Sequence, residues 1–224
     1  MTLGRPRLHL RATTSTNDRA RDLAAHGAPH GTIVTAGVQT AGRGRQGRVW
    51  TAPPGSSLLL SVVLRSADHL LPLRAGLAVA DLAGPAARVK WPNDVLVDGR
   101  KVAGILAEAR PQEQWTVLGI GLNAALDLHD LDPELRAGAA TLGRAPGELD
   151  AVLAELLERL AAWLDAGRDE VLTALRGRDA LRDRPVGWNG GDGVGAGIDD
   201  LGRLIVRRGD GSQAALDAGE VHLR

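Results

Sequence analysis

Residues 90–101, KWPNDVLVDGRK, predict a β-hairpin that begins with a polar cluster. Asp98 and Gly99 favour a tight two-residue turn, and apolar residues flank them on both sides. The proline of this segment favours an extended backbone before it, so Asn93 and Asp94 should stand at the start of the first strand. Proline, asparagine and aspartate are also good turn formers, so the segment alone leaves a purely structural turn open.

The same segment contains both lysines of the chain, Lys90 and Lys101, among 27 basic residues. Where arginine has replaced lysine almost everywhere, a retained lysine indicates a position that needs a compact, mobile ammonium rather than a planar fork. Lys101 opens the second strand, and a lysine that points inward from a strand requires an anionic partner. The sequence therefore predicts an anion site beside Lys101, with chance survival of a solvated lysine as the alternative.

Residues 42–48, GRGRQGR, alternate glycine with arginine, and we call them the Gly-Arg loop. Glycines allow successive backbone N–H groups to point into one concavity, and guanidinium groups add paired donors for carboxylate or phosphate. Dinucleotide-binding loops share the glycine spacing but continue into a helix, whereas VWTAPPG follows here. We expect the loop to bind a polyanion and to be mobile until the anion is bound. A flexible loop without a ligand is the alternative.

Two further polar groups lie at the ends of predicted elements. Ser15, Thr16 and Asn17 precede a helical pattern that stops at Gly27. They suit a helix cap, and they equally suit hydrogen bonds to a uracil-like or ureido group. Asn123 follows an apolar strand, where a role towards a ligand and a role in holding a loop are both open.

The apolar pattern along the whole chain predicts an α+β fold. We expect a mixed sheet with helices on one side and a small C-terminal β-module that follows it, with residues 124–147 as a loop. The predicted strands span 8–12, 32–38, 58–64, 95–97, 101–107, 115–121, 193–198, 204–208, 213–216 and 221–223, and the predicted helices span 18–25, 73–82 and 149–164.

Composition narrows the class of protein. A chain of 224 residues with 44% hydrophobic and 24% charged residues is typical of a globular protein with a core. A formal net charge of zero argues against a nucleic-acid binder that relies on phosphate neutralisation. The absence of cysteine excludes disulfides, thiolate metal sites and cysteine nucleophiles. Without a signal peptide or an apolar run of about 20 residues, we expect a cytoplasmic protein with no membrane partner.

Several motifs, in their order along the chain, resemble those of the biotin protein ligases, also called biotin–(acetyl-CoA-carboxylase) ligases. The resemblance covers essentially the whole chain, and the Gly-Arg loop followed at this spacing by KWPND is its most specific part. The motifs are STN at 15–17, QTAGRGRQGRVW at 39–50, KWPNDV at 90–95, GRKVAGILAE at 99–108 and GIGLN at 119–123.

The resemblance implies an architecture and an activity. It implies a class II synthetase-like catalytic domain over residues 1–181 and an SH3-like module over 182–224, without the N-terminal DNA-binding domain of bifunctional members. The implied reaction is ATP-dependent activation of biotin to biotinoyl-5′-AMP, followed by transfer to one lysine of a biotin carboxyl carrier protein, an acyl-CoA carboxylase subunit. We expect the C-terminal module to act in the transfer step, and we expect a monomer or weak homodimer.

The resemblance also implies roles for single residues. Lys101 and Arg45 would be catalytic, with Lys101 neutralising the phosphoryl centre. Magnesium would arrive as MgATP, without a separate protein metal site. The implied biotin-binding residues are Ser15, Thr16, Asn17, Gln39, Arg43, Gly44, Arg45 and Lys101. The implied ATP-binding residues are Arg45, Arg48, Trp50, Asn93, Asp94 and Asn123.

Three features depart from the family pattern. Gly37 stands where an acidic residue is common, Ala124 stands where valine is usual, and residues 182–195 are short for the start of a complete barrel.

Two other functions are alternatives to the ligase. A lipoate-type ligase shares the fold and a single lysine but typically lacks GRGRQGR and KWPND. A non-enzymatic biotin or RNA binder would use the Gly-Arg loop, but zero net charge and few aromatic residues oppose base stacking.

Overall fold

A computed structural model of the chain describes residues 2–66 and 68–224. The strands are β1 (Arg7–Leu10), β2 (Ile33–Ala36), β3 (Gly42–Arg43), β4 (Val49–Trp50), β5 (Leu58–Leu64), β6 (Ala87–Lys90), β7 (Asp94–Val97), β8 (Arg100–Arg110), β9 (Trp115–Leu122), β10 (Pro185–Trp188), β11 (Gly191–Ile198), β12 (Leu204–Arg207), β13 (Gln213–Leu216) and β14 (Val221–Leu223). The helices are α1 (Thr16–Ala25), α2 (Leu71–Ala83), α3 (Pro133–Gly138), α4 (Leu149–Asp165) and α5 (Arg168–Gly177). None of the described helices is long and apolar enough to cross a membrane.

A seven-stranded sheet forms the body of the molecule, with strand order β1-β2-β5-β9-β8-β7-β6. β1 pairs with β2 in parallel, and the other neighbouring strands pair antiparallel. The sheet is therefore mixed, as predicted. Its central strands β5 and β9 are buried along nearly their whole length, which places them between two layers.

Alternating residues of β5 face two different apolar clusters. Val62 lies in the large core together with residues of α2 and α4, whereas Val63 packs with Ala20 and Ala24 of α1. Because neighbouring strand residues point to opposite faces, α1 covers the face opposite to α2 and α4. The expected sheet with helices is confirmed, with the correction that the helices lie on both faces. Only part of the α1 face carries a helix, and the remainder is open to the site described below.

The hairpin of β7 and β8 has the predicted turn and an unpredicted bulge. Asp98 and Gly99 both have positive φ, 49° and 75°, as a tight hairpin turn of this kind requires. Further along, the partner of Val95 is Ala103 but the partner of Leu96 is Lys101, so β8 contains one extra residue. A β-bulge of this type changes which residues share a face of the strand.

A second sheet of five strands, in the order β13-β12-β11-β10-β14, forms the C-terminal part. The four predicted strands are present, and β10 adds a fifth within the segment that the sequence shows as short. β10 is not predicted because it begins with Pro185 and offers little apolar alternation. Val206 and Val221 of this sheet belong to the large core, so the module packs directly on the body.

Two helical segments also differ from prediction. α5 follows α4 after a break at Ala166 and Gly167, and it buries only one short apolar stripe, which is too little periodicity to predict a helix from sequence. α3 lies within residues 124–147, which the sequence indicates as a loop.

Candidate active site

A cavity opens on the α1 face of the large sheet, between the first turn of α1, the Gly-Arg loop and the β7–β8 hairpin. It brings together residues that are far apart in the sequence. Of the residues to which the resemblance gives a role, all but Asn123 line this cavity: Ser15, Thr16, Asn17, Gln39, Arg43, Gly44, Arg45, Arg48, Trp50, Asn93, Asp94 and Lys101.

The first turn of α1 forms one end of the cavity. Ser15 is the N-cap, and its hydroxyl accepts a hydrogen bond from the Asn17 N–H at 3.2 Å, so the helix-cap interpretation is confirmed. Gln39 Oε1 accepts from the Thr16 N–H at 2.7 Å and lies 3.0 Å from the Thr16 hydroxyl. The hydroxyl of Ser61, in β5, lies 2.6 Å from Asn17 Oδ1. These bonds fix polar side chains against the sheet, where they also line the cavity.

Glycines form the floor of the cavity. Gly104 and Gly121 are cross-strand partners, and the indole of Trp50 lies directly on them. A Cβ atom would stand 2.5 Å from Trp50 Cε2 at Gly121 and 3.0 Å from Trp50 Cζ3 at Gly104. A side chain at Gly119 would similarly overlap the Asn17 amide. Glycine in a strand interior often marks such a close approach, which is the signal by which Gly104 could be found from sequence.

The two lysines meet at one carboxylate. Lys101 Nζ lies 2.7 Å from Asp94 Oδ1, and Lys90 Nζ lies 3.4 Å from Asp94 Oδ2. The bulge in β8 places Lys101 on the same face as Gly104, and its ammonium stands 5.5 Å from the centroid of the Trp50 ring. The predicted anionic partner of Lys101 is thus Asp94. Because two ammonium groups share one carboxylate, a positive charge remains to attract an anion.

The three arginines of the Gly-Arg loop have different partners. Arg43 Nη1 donates to Asp18 at 2.9 Å; this hydrogen bond and the nearby carboxylate of Glu108 raise the pKa of Arg43. Arg48 forms an ion pair with Glu220.

Arg45 donates to the neutral Asn93 Oδ1 at 3.2 Å, and among residues 2–66 and 68–224 no carboxylate forms an ion pair with it. Arg45 is therefore the loop arginine whose charge is left for a ligand.

The C-terminal module contributes to the cavity wall, which the sequence does not predict. Glu220, Val221 and His222 line the cavity, and His222 Nε2 lies 3.5 Å from Glu220 Oε2. The module therefore lies at the site itself. Its position does not restrict it to the transfer step, and the expectation that it acts in that step stays a prediction. No local sequence pattern around residue 220 indicates a place in the site. These residues reach the cavity only because the C-terminal sheet packs against the body of the molecule.

Asn123 is the singled-out residue that lies outside the cavity lining. Its side chain is buried; Nδ2 donates to the Ala140 carbonyl at 3.0 Å, and Oδ1 lies 3.4 Å from the Ser57 hydroxyl. The chain at residues 139–142 runs beside the end of β9 and needs this support for its carbonyl group. The geometry therefore favours the loop-holding role of the two that the sequence leaves open.

Two family models and several known proteins match this chain. The Biotin/lipoate A/B protein ligase family matches residues 10–124, and the Biotin protein ligase C terminal domain matches residues 193–224. A biotin–(acetyl-CoA-carboxylase) ligase of Mycobacterium tuberculosis is 37% identical over 95% of this chain and 87% of its own length. The corresponding ligase of Paracoccus denitrificans is 37% identical over 95% of this chain and 98% of its own length.

A solved structure shows the same fold with substrates bound. The biotin protein ligase from Aquifex aeolicus in complex with biotin and ATP has a TM-score of 0.83 and 26% identity, and the match covers 98% of this chain and 99% of that chain. The chain belongs to the biotin/lipoate A/B protein ligase family. The match to the bifunctional ligase/repressor of Bacillus subtilis, at 40% identity over 60% of this chain, spans only 45% of that relative's length.

Proposed function

We propose that this chain activates biotin with ATP and transfers it to a lysine of a biotin carboxyl carrier protein. In the first step a biotin carboxylate oxygen bonds to the α-phosphorus of ATP, the bond from that phosphorus to the bridging oxygen breaks, and pyrophosphate leaves. In the second step the lysine amine bonds to the acyl carbon, AMP leaves, and the amine loses a proton. The carrier would be a carboxylase subunit, in keeping with the names of the two relatives matched over 95% of this chain.

One observation carries the proposal: the first turn of α1, the Gly-Arg loop and Lys101 surround a single cavity. Trp50 lies on the glycine floor and offers a flat aromatic surface, Arg45 offers a charge without a carboxylate partner among the described residues, and Lys101 offers a compact ammonium. Preorganised positive charge of this kind stabilises a phosphoryl group during transfer. The lining residues that we assign to biotin are Ser15, Thr16, Asn17, Gln39 and residues 43–45 of the Gly-Arg loop. Arg45, Arg48, Trp50, Asn93 and Asp94 are assigned to the nucleotide.

The residues present fit a magnesium ion that arrives with ATP. The described residues hold no group of three or more acidic or histidine side chains that could bind a metal alone. Magnesium is commonly held by one or two carboxylates together with substrate phosphates. Of the two carboxylates that line the cavity, Asp94 and Glu220, Asp94 lies beside Lys101 and would serve, and the ion would neutralise charge on the phosphates.

We further propose that the chain divides near residue 181 into a catalytic domain and a C-terminal domain. The five strands of the second sheet lie between Pro185 and Leu223, and the family match at residues 193–224 covers most of that sheet. Because the module lines the cavity through Glu220, both domains would contribute to the first step.

The test is pyrophosphate exchange into ATP, measured with biotin and with lipoate as alternative substrates. We expect exchange that depends on biotin and is absent with lipoate. Incubation with a carrier domain should then attach biotin to a single lysine, detected as a mass increase of the carrier. Exchange that proceeds with lipoate alone would show a lipoate-type ligase instead, and binding of biotin without exchange would show a non-enzymatic binder.

A further inference from the structure

Four charged side chains connect the Gly-Arg loop to α1 and β8. Asp18 Oδ1 accepts from Arg43 Nη1 at 2.9 Å and from Arg21 Nη2 at 2.6 Å. Glu108 Oε1 accepts from Arg21 Nη1 at 3.1 Å and lies 3.7 Å from Arg43 Nη2. The group contains two carboxylates and two guanidiniums, so its charges balance without a ligand.

Neither acidic residue lines the cavity, yet both are held next to residues that do. Glu108 Oε2 accepts from Asn17 Nδ2 at 2.8 Å, and Asn17 in turn contacts Ser61 on β5. Asp18 stands in the first turn of α1, where the helix dipole favours a negative charge. The two carboxylates are therefore held by the sheet and the helix, and Arg43 is the one member of the group that belongs to the loop.

We propose that Asp18 and Glu108 are positioning residues that hold the Gly-Arg loop over the cavity through Arg43. The inference rests on the proposed function, because it concerns how long biotin and its adenylate stay bound. The anchor orders the loop before a ligand arrives, which lowers the cost of ordering on binding. It also neutralises Arg43, so that Arg45 and not Arg43 presents its guanidinium charge to the substrate.

The expected size of the effect follows from exposure. A single solvent-exposed ion pair changes an equilibrium by less than about fivefold. Here the carboxylates of Asp18 and Glu108 are only 31% and 20% exposed, and they share two arginines in a network. We therefore expect loss of the anchor to increase loop opening about tenfold.

Limited trypsin digestion without ligand tests the anchor independently of any activity. Asp18→Ala and Glu108→Gln should each accelerate cleavage after Arg43, Arg45 and Arg48 about tenfold. Asp18→Glu should restore the slower rate, because it keeps the carboxylate. Asp22→Ala is the matched control: it removes an aspartate one turn later in α1, whose partner is the exposed Arg19 at 3.6 Å, and it should digest like the wild type.

Biotin dissociation links the anchor to function. Asp18→Ala should release biotin about tenfold faster and raise the KM for biotin, with kcat for pyrophosphate exchange within about twofold of wild type. Unchanged loop cleavage in both Asp18→Ala and Glu108→Gln would overturn the proposal, as would faster cleavage in Asp22→Ala to the same extent. A wild-type chain that does not bind biotin would overturn the proposed function, while the digestion comparison would still decide on the anchor.

Discussion

The ammonium of Lys101 and the carboxylate of Asp94 form an ion pair across the β7–β8 hairpin, with Nζ 2.7 Å from Oδ1. Lys90 approaches the second oxygen of the same carboxylate at 3.4 Å. The Lys101 side chain is 36% exposed while that of Asp94 is 13% exposed, so Lys101 is the more accessible partner. An incoming anion can attract Lys101 without leaving Asp94 unpaired, because Lys90 remains in place.

Lys101→Ala should slow pyrophosphate exchange at least about a hundredfold, or about 3 kcal/mol, because a charge donor at the phosphoryl centre is lost. Lys101→Arg should also be impaired, since a planar fork does not fit the point between Trp50 and Gly104. Lys90→Ala is the comparison, because it removes the other ammonium from the same carboxylate, and its rate should fall less than about tenfold. Wild-type exchange in Lys101→Ala would contradict the assigned role.

Gly121→Val should displace the Trp50 indole from the floor of the cavity. Since even a Cβ atom would stand 2.5 Å from Trp50 Cε2, we expect a loss of about 1–3 kcal/mol in the free energy of unfolding and a large fall in exchange. Urea unfolding and exchange measure the two effects. Gly138→Ala is the control, because apart from its chain neighbours and the backbone of its own helix no described atom lies within 4 Å of an added Cβ. Equal stability and equal exchange rates in the two variants would contradict the close packing of Trp50 on Gly121.

Glu220→Lys should strengthen ATP binding through the C-terminal module. The substitution releases Arg48 from its ion pair and adds a positive charge beside the cavity, so we expect the KM for ATP to fall about threefold while biotin binding stays within about twofold. Asp217→Lys makes the same charge change on the module outside this cavity and should leave both constants near their wild-type values. Equal effects of the two substitutions would indicate a general charge effect in place of a local one.

Asp179 should make the stability of the chain depend on pH. Its Oδ1 accepts from the Leu181 N–H at 2.8 Å, whereas Oδ2 is buried without a partner among the described residues. Burial raises the pKa of Asp179 above its ordinary value. The folded state therefore favours the protonated carboxyl, so this contribution to stability is present at low pH and is lost as the pH rises through the raised pKa.

Asp179→Asn should consequently be more stable than wild type at about pH 7, and this advantage should disappear at about pH 3, below the ordinary pKa of an aspartate. Urea unfolding at the two pH values is the measurement. Asp183→Asn removes an exposed carboxylate nearby and should show no such difference. A constant difference between Asp179→Asn and wild type across this range would argue against a shifted pKa.

Local chemistry made much of the site predictable. The Asp98-Gly99 turn, the Ser15 cap and the position of the Gly-Arg loop depend on residues close together in the chain, and each is present as expected. The partner of Lys101 could be anticipated as an anion, but its identity as Asp94 depends on strand register. Register is not visible in the residues of one strand alone.

The features that escaped prediction depend on packing between distant segments. Glu220 of the C-terminal sheet forms an ion pair with Arg48 of the Gly-Arg loop. Asn123 donates to the Ala140 carbonyl, and the sequence does not show that this segment passes beside it. The sequence also does not show whether α1 and α2 pack on the same face of the sheet. Apolar periodicity indicates only that each helix has a buried side, and the face is set by the path of the connections between strands and helices. The expectation of a mobile loop stays a prediction, although carboxylate partners for Arg43 and Arg48 reduce the repulsion on which it relies.

The extra residue in β8 has a consequence for anyone who transplants this hairpin into another scaffold. Residues 101 and 104 are an odd number apart, and a regular ladder would send their side chains to opposite sides. A graft that kept every residue but paired them in a regular ladder would keep the sequence motif and the turn, while it turned the Lys101 side chain away from Gly104 and Trp50. In an alignment, a one-residue deletion between positions 101 and 104 would therefore remove the bulge and still leave these two residues on one face.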